Sequence, residues 1–202
     1  SWRESCGFFP MNEALRIVMI APDLNVLDPH DETGLLQAER SRALRIGLLE
    51  NGYNLVASLP ADVFLTERLA QLQPDMVIVD AESEARDALE HVVMATRDAR
   101  RPIVMFTNND DTSVAKDAVA AGVSAYIVAG LSAARIRPIL DVAMARFEHE
   151  QALRKELAQT REELDGHKTE LLNRKVIDRA KGVLMQRQGL TEQQAYERLR
   201  KA

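Results

Sequence analysis

Cysteine is almost absent from this sequence. Cys6 is the single one, and it lies in the opening stretch SWRESCGFFP. One cysteine excludes a disulfide within the chain and any multi-cysteine metal site. Long hydrophobic runs are also missing: no stretch approaches the roughly 18 consecutive apolar residues of a membrane-spanning helix. The first ten residues lack the apolar h-region and small-residue cleavage site of a secretory signal. Residues 1–10 are therefore expected to be a loose or vector-derived tail, with Met11 opening the strand-like run behind it. A cytoplasmic protein without a membrane anchor is the expected setting.

What is present is the composition of an ordinary globular protein. The 202 residues are 46% hydrophobic and 28% charged, enough for one sizeable core with an extension, or two small domains. Charge is unevenly spread. From residue 173 onward there are eight basic and three acidic residues, whereas the preceding 172 carry 18 basic and 28 acidic. An acidic body with a basic tail suggests a tail that seeks polyanions, although a solvated helical face has the same composition.

Short apolar runs alternate with amphipathic ones over the first part of the chain. Strands are predicted at residues 16–21, 54–58, 76–80, 103–107 and 125–128, and helices at 35–50, 61–71, 84–97 and 112–121, with a fifth helix from about Ser132. Several of these strands are almost wholly apolar, as expected where helices cover both faces of a parallel sheet. Repeated strand–helix units of this length predict a doubly wound α/β domain. The acidic stretch 23–33, DLNVLDPHDET, is expected to be a long loop.

From about Ile136 the strand signals stop, and Pro138 is placed where a first helical turn tolerates it. Leu157, Leu164 and Leu171 recur every seven residues, with Leu153 one turn earlier. Such a heptad seam predicts a coiled coil, and hence a homodimer contact. Leu153, Thr160, His167 and Arg174 fall on the partner positions of that seam, and the polar ones make it marginal and suited to switching. The competing reading is one solvated linker helix. Farther on, Gly189 is a candidate helix stop, and Thr191 with Gln194 has capping-box spacing ahead of a short helix over 192–201. Two such helices bury little core alone, so a partner or further residues are expected to complete the unit.

At 100° per residue, Val176, Ile177, Ala180, Val183 and Leu184 fall on one face and should pack inward. Arg174, Lys175, Asp178, Arg179, Lys181, Gly182, Met185 and Gln186 share the opposite arc. A mid-helix glycine costs roughly 1 kcal/mol relative to alanine. On the basic arc, Gly182 suggests that a polyanion backbone comes close; the plain alternative is a solvated face that happens to contain a glycine.

The segment 176–202, VIDRAKGVLMQRQGLTEQQAYERLRKA, resembles the ANTAR domain of AmiR- and NasR-type antitermination regulators. The likeness lies in Ala180, Lys181, Gly182, Leu184, Met185, Gly189, Leu190, Glu192, Ala195, Tyr196, Leu199 and Arg200. A receiver-like domain joined by a coiled coil is the usual arrangement in that family, and the nitrate-responsive NasT-like group is similar in overall character. The resemblance implies a receiver-like domain over 11–135, a coiled-coil linker over 136–172 and an RNA-binding module over 173–202 that lacks the family's third helix. It also implies a dimer that binds tandem hairpins in leader mRNA and so prevents termination. Arg174, Lys175, Arg179, Lys181, Gly182, Met185, Gln186, Tyr196 and Arg200 would form the RNA surface. Basic side chains would meet phosphates, and Tyr196 would stack on a loop base or pack the last helix.

Receiver domains resemble flavodoxin-like folds that carry an acidic pocket at the carboxyl ends of their strands. Phosphoryl transfer there needs an Asp nucleophile, acidic Mg²⁺ ligands and a lysine for the phosphoryl charge. Asp80 closes the third strand in the acceptor position, and Thr107 closes the fourth where a switch hydroxyl is expected. The rest departs from the pattern. Ala21 and Pro22 replace the acidic pair, leaving Asp23 as a partial substitute, and Ala129 with Gly130 replaces the lysine–proline pair. The domain is thus expected to be a degenerate receiver with at most weak Mg²⁺ binding and an Asp80 that is not phosphorylated. Control would pass instead to a sensor protein of periplasmic-binding-protein type. The alternatives are a phosphorylation-dependent DNA-binding response regulator, with 181–201 as a helix-turn-helix, and a phosphotransfer protein without nucleic-acid output. No catalytic residue or resident cofactor is expected.

Overall fold

The computed structural model of the chain describes residues 14–22, 28–80, 85–128 and 132–202. The chain divides into two compact units, Ser1–His149 and Glu150–Ala202. Among the described residues, no helix is long and apolar enough to cross a membrane.

The first unit alternates β1 (Arg16–Ile20), α1 (Glu32–Glu50), β2 (Asn54–Leu59), α2 (Leu65–Leu72), β3 (Met76–Asp80), α3 (Ala85–Ala95), β4 (Ile103–Thr107), α4 (Thr112–Ala120) and β5 (Ala125–Val128), and then enters α5 (Ala133–Gln188). The five strands form one parallel sheet in the order β2-β1-β3-β4-β5, the doubly wound flavodoxin-like topology expected from the sequence.

Strand pleating divides the core in two. Ile17, Met19, Met76, Ile78, Val104 and Phe106 point to one face, where they meet Leu44 and Leu48 of α1 and Ile136, Leu140 and Ala143 of α5. Val18, Ile20, Val77, Val79, Ile103 and Met105 point to the other, under Leu65 and Leu69 of α2, Leu89 and Val92 of α3 and Ala118 of α4. Each such aliphatic side chain contributes roughly 1.5–3 kcal/mol when fully buried, so alternation along the central strands sets which helix covers which face. On the α1 side the approach is close, because a Cβ on Gly47 would collide with the Ile136 side chain.

Two helix starts differ from the sequence expectation. α1 opens at Glu32, inside the stretch expected to be loop, because Asp31 caps it by accepting the Gly34 N–H at 3.2 Å. α2 opens at Leu65 instead of 61, because Asp62 first turns the chain. Its carboxylate accepts the Phe64 N–H at 2.9 Å, and its carbonyl accepts the Leu65 N–H at 3.1 Å. The remaining described boundaries agree to within one or two residues.

α5 is continuous through Pro138 to Gln188, where Gly189 adopts the left-handed conformation (φ 62°) and turns the chain. The short α6 (Glu192–Lys201) follows. Its start is the expected capping box: Gln194 N–H donates to Thr191 Oγ1 at 3.3 Å, and Thr191 N–H donates to Gln194 Oε1 at 3.0 Å.

Candidate acceptor pocket and nucleic-acid interface

Asp80 shares the pleat direction of Met76 and Ile78, so its side chain points to the face that α1 covers. At that end of α1 the buried positions are polar. Gln37 and Ser41 precede Leu44, Gly47 and Leu48 on the inward face of the helix. Arg40 Nε donates to one Asp80 oxygen at 3.1 Å, and Arg40 Nη2 contacts the same oxygen more closely. The Ser41 hydroxyl donates to the other oxygen. Arg40 Nη2 also reaches the Phe106 carbonyl at 3.4 Å, on the strand where Phe106 pairs with Asp80. Asp80 and Ser41 are fully buried, while the Arg40 side chain keeps 19% of its exposure. Both carboxylate oxygens of the candidate acceptor are therefore engaged by consecutive residues of α1.

Thr107 is buried at the end of β4, but its pleat direction is opposite to that of Phe106. Its hydroxyl accepts the Asn109 N–H at 3.1 Å and also meets the Tyr126 hydroxyl. Burial raises the Tyr126 pKa above its ordinary value and the Asp111 charge adds to this, against the contact with Thr107. Thr107 thus ties down its own loop and the adjoining strand. Asp23 and Ala129, the other expected members of the pocket, lie outside the described residues.

A receiver that transfers phosphoryl groups needs Mg²⁺ beside its acceptor. The described residues do not fit that ion. A guanidinium already meets the Asp80 carboxylate, and no group of three His, Cys, Asp or Glu able to hold a metal occurs among the described residues. No motif in the sequence singles out Arg40 and Ser41. The signal available there was the polar Gln37 and Ser41 at helical spacing ahead of Leu44 and Leu48, where an apolar stripe would otherwise continue.

In the second unit, Arg174, Lys175, Arg179, Gly182, Met185, Gln186, Tyr196 and Arg200 are all exposed. A Cβ on Gly182 would meet nothing within 4 Å, so no internal contact demands a glycine there. Tyr196 is 53% exposed. Lys181 is different. Its ammonium donates to Glu192 at 3.1 Å and pairs with Asp178 at 3.3 Å, and only 18% of its side chain is exposed. The contact with Glu192 is the main reason its pKa lies above the ordinary lysine value. With the bond from Arg198 to Gln188, it joins α6 to the end of α5.

The expected inward face is only partly covered. Ala180 and Leu184 are half-buried and Ala195 is fully buried, but Val176, Ile177 and Val183 stay 67%, 44% and 43% exposed. A ten-residue helix spans about 15 Å, so α6 reaches only the last turns of α5. Leu153, Leu157, Leu164 and Leu171 are each about half exposed along one side of α5.

The model of the ANTAR domain matches residues 165–202. The transcriptional regulatory protein PdtaR of Mycobacterium tuberculosis is 31% identical over 178 residues, spanning 88% of this chain and 80% of that protein. Among solved structures, the signal receiver domain of a modulated diguanylate cyclase from Desulfovibrio desulfuricans matches 68% of this chain and 99% of its own, at 18% identity and TM-score 0.50. A yeast Spc42 trimeric coiled-coil segment fused to another structure matches 80% of this chain and 98% of its own, at 14% identity and TM-score 0.51. These structural likenesses concern the fold alone.

Proposed function

The chain belongs to the family of ANTAR-domain response regulators, a family of regulators and not of enzymes, and we propose that it acts in transcription antitermination by binding hairpins in leader mRNA. The observation that carries this reading is the exposed basic arc of α5 around a bare Gly182, with Tyr196 open to solvent beside it in the ANTAR-matched segment. Hairpin loops offer unstacked bases to such a surface, and phosphates offer charge. A stacked base would contribute about 1–3 kcal/mol at Tyr196.

In this reading, residues 11–135 form the receiver-like part, 136–172 the coiled-coil linker and 173–202 the RNA-binding module. Two copies pair through Leu153, Leu157, Leu164 and Leu171, which gives one regulator two RNA surfaces for tandem hairpins. The receiver-like part is degenerate: Asp80 is not a working acceptor, and control of this cytoplasmic regulator comes from a sensor protein of periplasmic-binding-protein type. Nitrogen or nitrate control fits the same reading.

Gel shifts with the full chain test the proposal, using an RNA with two tandem hairpins against duplex DNA of the same stem sequence. Hairpin RNA should bind, and binding should weaken steeply with added salt. Preferential binding of duplex DNA would sink the RNA reading in favour of a helix-turn-helix regulator.

A further inference from the structure

We propose that Arg40 is a built-in counter-ion that closes the acceptor pocket, its guanidinium taking the place at Asp80 that a receiver gives to Mg²⁺. The inference rests on the reading of the domain as a degenerate receiver and supplies its mechanism. Arg40 and Ser41 are consecutive on α1, and between them they engage both oxygens of a fully buried carboxylate. The helix that delivers them is fixed by Leu44 and Leu48 in the core and by the tight approach at Gly47. The cation is therefore tethered, and an ion from solvent has to displace a partner that pays no translational entropy to be there.

Guanidinium chemistry suits the closure. The planar fork satisfies a carboxylate with directed hydrogen bonds, which a lysine ammonium does not reproduce. Ser41, itself fully buried, donates its hydroxyl to the second oxygen. The Phe106 carbonyl holds the outer edge of the guanidinium, so the group bridges α1, β3 and β4. The closed acceptor also stitches α1 to the centre of the sheet, where a switching receiver would keep its pocket open to ions and phosphodonors.

The closure is tested on the full chain by carboxyl labelling with a water-soluble carbodiimide and glycinamide, read out by peptide mass. Asp80 should be protected in the unmodified protein, and in Arg40→Gln it should label toward the rate of Glu163, an exposed carboxylate on α5. Labelling of Asp80 at the Glu163 rate in the unmodified protein overturns the proposal, and so does continued protection in Arg40→Gln. Chemical unfolding of Arg40→Gln, Asp80→Asn and the double variant gives an independent measure. The two changes should couple by more than about tenfold in the unfolding equilibrium, whereas simple additivity shows the pair to be absent. The underlying reading has its own outcome: acetyl phosphate should not label the unmodified protein. Phosphoryl incorporation that disappears in Asp80→Asn removes the degenerate-receiver reading itself.

Discussion

Gly182 and Asp80 invert each other's logic. Gly182 sits where nothing in the chain requires it, and Asp80 where everything around it depends on it. Gly182→Ala should therefore stabilise α5 by about 1 kcal/mol, while weakening hairpin RNA binding in a filter-binding titration. Unchanged affinity would leave the glycine without a role. Asp80→Ala should lower stability by roughly 3 kcal/mol, read as a shift of the urea midpoint. The lower end of the range for broken buried pairs applies, because Arg40 retains some exposure and can turn toward water. Asp111 provides a case that pH can resolve. Its carboxylate accepts the Ser113 N–H at 2.9 Å, and that bond, followed by the one from the Ser113 hydroxyl, holds its pKa below the ordinary carboxylate value. A depressed folded pKa means that the stabilisation is complete above the unfolded value and is lost as pH falls through the folded one. The stability difference between the unmodified chain and Asp111→Asn should thus be present at pH 7 and shrink as pH falls below the ordinary carboxylate value. A difference that persists into acid would remove the cap.

Elements were legible in the sequence to the degree that their signals were local. The alternating apolar runs marked all five strands, and the Thr191–Gln194 spacing marked α6 to the residue. Thr191→Ala should cost about 1 kcal/mol in the second unit, seen as reduced α6 protection in amide exchange. Where local signals competed, the expectation slipped. The acidic stretch around Asp31 reads as loop, yet an acidic residue three before Gly34 is also a helix cap, and Asp62 turns the chain where helical periodicity suggests an earlier start. The partnership of Arg40, Ser41 and Asp80 joins α1 to β3 across two intervening elements, so no window along the chain contains it. The leucine seam is a case between these. Its period is plain, yet its proposed occupant is another chain. Leu164→Glu should shift the protein from dimer to monomer in analytical ultracentrifugation; a dimer that survives this change would place self-association elsewhere.

At the scale of the whole molecule, charge is segregated but not uniformly available. Of the eight basic residues after position 172, Lys181 is held by Glu192 and Asp178, and Arg198 by Gln188. Six remain for phosphates, so the plot of log affinity against log salt should have a slope no steeper than about −4 to −5 per protomer. A steeper slope would return Lys181 or Arg198 to the RNA surface. Lys181→Met should weaken binding through the loosened corner between α5 and α6 with the slope unchanged. The closed pocket in the first unit has a different reach, into how genetic results on this protein are interpreted. In an ordinary receiver, Asp→Glu at the acceptor is used to imitate activation and Asp→Asn to block it. Here either change lengthens or uncharges a side chain already locked between Arg40 and Ser41, so both are lesions of folding. Loss of a few kcal/mol lowers cellular abundance several-fold. A phenotype from either allele would then report how much regulator survives the proteases, and a Western blot would have to precede any conclusion about signalling.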